Sequence, residues 1–108
     1  MARIATRFAG PLLLTNGTVT QFTVAASTKA VIRHIHVQNP SGSAATLTLS
    51  IGADAAGTRL FDAYSIGAGT TLDHFCYYVL AAAEIMAAHS GTNNIMTITI
   101  DGDSLVLG

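Results

Sequence analysis

Thr46-Leu47-Thr48-Leu49-Ser50-Ile51 alternates a hydroxyl with an apolar side chain along its whole length. Period two puts Leu47, Leu49 and Ile51 on one face and the hydroxyls on the other, the pattern of a half-buried antiparallel strand. Ile95 to Asp101 repeats it, with Met96, Ile98 and Ile100 set against Thr97 and Thr99. Ala30 to Asn39 alternates as well. It predicts Val31, Ile35 and Val37 on one face and Ile32, His34, His36 and Gln38 on the other. In Thr18 to Val24, Val19 falls out of phase with Phe22 and Val24, which predicts a bulge or a short kink between them.

Turn-forming residues separate these runs. Asn16-Gly17 is a turn pair. Asn39-Pro40-Ser41-Gly42-Ser43, Gly52 to Gly57, Gly67-Ala68-Gly69, Ser90-Gly91-Thr92-Asn93-Asn94 and Asp101-Gly102-Asp103 mark further breaks. Strands are expected near 3–8, 18–24, 30–39, 45–51, 58–66, 70–79, 84–89, 95–101 and 104–107. Leu80 to Ala88 is alanine-rich and favours helix, but it lies between strand-like runs. A short helical turn at 81–83 followed by a strand at 84–89 is predicted. Short strands with a break every dozen residues point to an all-β chain. The expected fold is a single antiparallel β-sandwich of jelly-roll type with about eight strands. Residues 1–10 are read as an N-terminal arm or edge strand and 11–108 as the sandwich. The expected core is Phe22, Val31, Ile35, Val37, Leu47, Leu49, Ile51, Leu60, Leu72, Ile98 and Ile100.

Composition narrows the function. Of 108 residues, 50% are hydrophobic and 10% charged, with a formal net charge of −1. Five scattered cations make no phosphate-binding patch, so nucleic acid is not an expected partner. Disorder needs low hydrophobicity and high charge, and this chain has the reverse. Mean hydropathy is +0.48, yet no apolar run approaches the about 18 residues a membrane-spanning helix needs, so no membrane role is expected. No signal peptide is read at the N-terminus, and the single cysteine, Cys76, allows no internal disulfide. A surface short of charge is covered by Thr, Ser, Asn and Gly, or by another protein.

The chemistry-bearing residues are few. His34 and His36 share a strand face and would make a workable pair of zinc ligands. A third ligand would have to come from Asp73, His74 or His89. Without CxxC or HExxH, they are read instead as polar residues on a solvated or subunit-facing surface, and no metal or other cofactor is expected. Asp101-Gly102-Asp103 lacks the remaining oxygen ligands of a calcium loop and reads as a turn. Gly52 to Thr58 lacks the Lys-Ser/Thr of a phosphate-binding loop. His74 and Cys76 share a face, but no orienting group or oxyanion site accompanies them, so no enzymatic activity is expected. Arg33 and Arg59 lie in strand-like runs and either pair with carboxylates, Asp62 and Asp73 being the candidates, or reach to water from a strand end.

Ala-Val-Ile-Arg-His-Ile-His-Val-Gln-Asn (30–39), the run from Ala44 to Ala63, and Thr-Leu-Asp-His-Phe (71–75) resemble small virion proteins of tailed bacteriophages. The likeness is one of strand pattern and loop words, from about Pro11 to Ile100. It implies a β-sandwich structural protein present in many copies on the particle and assembled in the host cytoplasm. The expected role is capsid decoration (cement) on the major capsid lattice, as a homo-oligomer with a trimer favoured. A tail, neck or fibre-base component, bound to tail proteins, is the alternative, and a carbohydrate-binding jelly roll is the second. Ile32, His34, His36, Phe75 and Tyr77 are the expected subunit contacts, because their strands carry apolar residues on both faces and a sandwich core can bury only one.

Overall fold

The computed structural model describes residues 2–91 and 95–106. Eight strands follow one another: β1 (Ala2–Leu13), β2 (Val19–Thr23), β3 (Thr28–Gln38), β4 (Ala45–Ile51), β5 (Arg59–Ile66), β6 (Thr71–Leu80), β7 (Ile85–Ser90) and β8 (Thr97–Val106). There is no helix among the described residues. The strands form two four-stranded antiparallel sheets. Sheet A has the order β1-β8-β3-β6 and sheet B the order β2-β7-β4-β5. Every connection except the β4–β5 hairpin crosses from one sheet to the other. This is the eight-stranded jelly roll.

The inner faces meet in one aliphatic core. Ala30, Ile32, Ile35, Val37, Leu80, Ile98 and Ile100 come from sheet A, and Leu47, Leu49, Ile66, Met86 and Ala88 from sheet B. Each fully buried Leu or Ile side chain contributes about 1.5–3 kcal/mol of transfer free energy. Phe22, Ile51, Leu60 and Leu72 pack against this cluster at its margin. Asn39 is fully buried where β3 ends. Its Nδ2 donates to the Ser43 and Ile66 carbonyls at 2.9 and 3.0 Å, and its Oδ1 accepts from Ser41. One side chain thus ties the β3–β4 and β5–β6 connections together.

Several expectations change at bulges. The kink expected in β2 is present, between Thr20 and Phe22. A second irregularity, at Arg33, was not legible. From the rung of Ile32 to that of His34, β3 advances two residues, while β8 advances only from Gly102 to Asp101 and β6 advances from Tyr78 to Phe75. Alternation breaks there, so Ile32 and Ile35 both face inward. Ile32 is fully buried in the core and cannot belong to an outer contact surface. Val31 is buried on the opposite side of β3, outside the core cluster.

Asp101-Gly102-Asp103 is no turn, and the expected strands 95–101 and 104–107 are one strand, β8, with Leu107 outside the described residues. Gly102 serves close approach: a Cβ there would run into the Val31 carbonyl oxygen. Segment 81–84 is a tight turn rather than a helical one. Ala83 takes a φ of 70°, and the Glu84 carboxylate accepts from the Ala81 N–H at 2.6 Å. The N-terminal segment pairs with β8 from Ala2 to Leu13 and is an edge strand of its own sheet. Of the turn expected at 90–94, residues 92–94 lie outside the described residues.

Candidate functional site

The outer face of sheet A gathers the side chains that β3 and β6 do not bury. β6 alternates strictly. Leu72, His74, Cys76, Tyr78 and Leu80 turn toward the core, and Thr71, Asp73, Phe75, Tyr77 and Val79 toward solvent. Phe75, Tyr77 and Val79 are 77%, 65% and 52% exposed. Antiparallel register then sets each outward residue beside a partner on β3: His36 opposite Asp73 and His34 opposite Phe75. On its other side His34 lies opposite Asp101 of β8.

At the centre is one carboxylate between two imidazoles. His36 Nδ1 lies 2.6 Å and His34 Nε2 2.9 Å from the same oxygen, Oδ1 of Asp73. Hydrogen bonds from His36 and then His34 hold the Asp73 carboxyl below its ordinary range. The far nitrogen of His34, Nδ1, faces Asp101 Oδ2 at 3.8 Å. Phe75 stacks on the His34 ring, with centroids 4.5 Å apart and planes within 8°. That contact fixes the plane of the imidazole. Of the three candidates for a third ligand, Asp73 is therefore the one brought to His34 and His36.

His74 points inward instead, bonded to the Tyr78 hydroxyl at 3.0 Å and edge-on to Phe61. His89 lies on sheet B, 3.0 Å from the Thr18 hydroxyl. Cys76 shares the inner side of β6 with His74; its thiol donates to the Ile32 carbonyl, and burial pushes its pKa up, which disfavours the thiolate.

Arg33 finds a carboxylate other than those expected, whereas Arg59 pairs with the expected Asp62 and, more closely, with Asp54. Arg33, projecting from the bulge, binds Asp103 at 2.8 Å and lies 5.4 Å over the Tyr77 ring, a cation–π distance. Arg59 binds Asp54 at 2.8 Å, with Asp62 more distant at 3.4 Å. Asp101 and Asp103 were missed as members of this face because their glycine was read as a turn. The alternation of Ile98 and Ile100, continued through Gly102 and Ser104, was the signal available, since it leaves Asp101 and Asp103 on the other face. A cleft of about 190 Å³, which none of His34, His36 and Asp73 lines, lies between Tyr64, Gly67, Thr70 and Leu72.

Known proteins add little. No protein-family model matches the chain, and no curated protein matches its sequence. A solved structure described as "Structure of infectious bursal disease virus Gt strain" is similar over 96% of this chain, with 11% identity and a TM-score of 0.41. The chain spans 29% of the length of that structure's chain.

Proposed function

We propose that this chain is a structural protein of a tailed-bacteriophage virion, and within it a decoration protein that cements the assembled capsid lattice as a homotrimer. The observation that carries the reading is the outer face of sheet A. It places Phe75, Tyr77 and Val79 in solvent, along an edge strand, on a chain with few charges to keep such a face wet. Exposed aromatics beside an Arg are the composition of interface centres rather than of free surface. Arg33 and His34 each stack on one of these rings, so the side chains are held in place before a partner arrives, which lowers the entropic cost of binding. His34, His36, Phe75 and Tyr77 remain the contact residues of this reading, with Arg33 and Val79 taking the place of Ile32. A cement protein gains its binding surface only on the assembled lattice, and a stable contact buries about 1,600 Å² in total.

The test is occupancy. Heads lacking the protein are mixed with the purified chain, and bound copies are counted by quantitative mass spectrometry. Binding stoichiometric with the capsid subunits, lost in Phe75→Ala/Tyr77→Ala, is the expected result. A chain found only on tails, at low copy number, would overturn the cement role and leave the tail position.

A further inference from the structure

We propose that His34, His36 and Asp73 form a binding site for one divalent transition-metal ion of the zinc class, with Asp101 orienting His34. This rests on the side chains alone and does not depend on the virion reading.

Three donor atoms, two imidazole nitrogens and a carboxylate oxygen, lie within 4.8 Å of one another. Two nitrogens and one carboxylate oxygen are a donor set that zinc takes readily, at about 2.0–2.2 Å from each. Tetrahedral donors at those bond lengths stand about 3.3 Å apart. The nitrogens already approach Asp73 to 2.6 and 2.9 Å, and with all three donors within 4.8 Å of one another, closing the two imidazoles on each other by up to about 1.5 Å admits the ion. The donors come from facing positions on two paired strands, His36 opposite Asp73. The sheet itself holds them, rather than a loop that would have to be ordered first. All three side chains are partly exposed, which leaves the fourth position open to water.

The second nitrogen of His34 supports the assignment. A metal on Nε2 requires the ring proton on Nδ1, and Nδ1 is the atom that faces the Asp101 carboxylate. A carboxylate behind a metal-binding imidazole is the arrangement that fixes its tautomer and orientation. Without the ion the proton belongs on Nε2, which donates to Asp73 at 2.9 Å; with the ion on Nε2 it moves to Nδ1, on the side of Asp101. Phe75, stacked on the same ring, restricts its rotation. Asp54 shows the contrast. It too lies beside a histidine, His89, but Arg59 already occupies it at 2.8 Å. Asp73 has only imidazoles as ion-pair partners among the described residues. Loading needs no net proton loss from neutral rings, but each ring must shift its single proton from the nitrogen that donates to Asp73 to the nitrogen turned away from the ion.

The experiment is a calorimetric titration of chelator-treated protein with zinc near neutral pH in a non-coordinating buffer. One ion per chain is the expected result. Affinity falls at least tenfold in His36→Ala and in Asp73→Asn, falls by about tenfold in Asp101→Asn, and is unchanged in His89→Ala. Folding of each variant is checked by circular dichroism and thermal melting. Should a variant fail to fold, ring nitrogen shifts of the wild-type histidines during the same titration decide the matter: those of His34 and His36 move together while those of His74 and His89 stay. Wild-type protein that shows no saturable binding overturns the proposal. Binding that persists in both His36→Ala and Asp73→Asn, or shifts confined to His74 or His89, does so as well.

Discussion

The two sheets treat their outer faces in opposite ways. Sheet B covers the middle of its own. Thr48, Ser50 and Ala87 are buried there, and the loop between β4 and β5 reaches back across the sheet, where Asp54 contacts Thr18 and His89. Thr58 holds that loop in shape through the Ala53 carbonyl and the Ala55 N–H. Sheet A has no such cover over β6, whose outward residues are large and exposed. The carboxylates repeat the contrast: Asp54 is held by an arginine and Asp73 by two imidazoles. The middle of one face is covered within the chain, while the other leaves rings and ligand atoms exposed.

The largest expected effect tests which side of sheet A is core. Ile32→Ala should cost about 2–5 kcal/mol, the range for truncating a fully buried aliphatic, by urea unfolding. A loss under about 0.5 kcal/mol, typical of surface substitutions, would put Ile32 back on the outer face. Phe75→Ala should fall in that small range for the free chain while abolishing occupancy on heads. A large loss of chain stability instead would make Phe75 a structural residue and erase the difference between the faces.

A smaller effect separates the carboxylates. Zinc should raise the melting temperature of the wild-type chain, because a ligand that binds only the folded state stabilises it by mass action. Asp73→Asn should remove that rise and Asp54→Asn should leave it intact. Equal behaviour of the two variants would mean that the arginine makes no difference.

The smallest effect is in acid. The Arg59 hydrogen bond holds the Asp54 carboxyl below its ordinary value of 3.8, opposed by some desolvation. A depressed folded pKa gives stability that is fully present above the unfolded value and is lost as pH falls through the folded one. Carbon-detected titration of Asp54 should therefore find its midpoint below 3.8, and Arg59→Leu should move it up. An unchanged midpoint in that variant would assign the shift to other neighbours.

Strand character was legible wherever one face alternates cleanly, as at Leu47, Leu49, Ile98 and Ile100, because burial selects every second residue. The bulge in β2 was also legible, since Val19 and Phe22 could not share a face. The bulge at Arg33 was not. Val31 and Ile32 are both apolar, so either could face inward, and the register that decides between them is set by β6 and β8, distant in sequence. Gly102 misled for a related reason. A glycine needed for close approach to Val31 looks, in sequence, like a glycine needed for a turn. The meeting of His34, His36 and Asp73 shared that obstacle: period two pairs the histidines, but only the β3–β6 register brings Asp73 to them.

The irregularity at Arg33 also fixes a contour length. Over the same pair of rungs β8 advances one residue, β3 two and β6 three. At about 3.3 Å per residue, the edge strand has up to about 7 Å more chain to accommodate than the strand two places inward. The rim of the sheet is thus a longer line than its middle, as in an opened fan, and Tyr77 stands on that rim. A partner cut to fit an evenly ruled sheet would drift out of step along β6 by two residues.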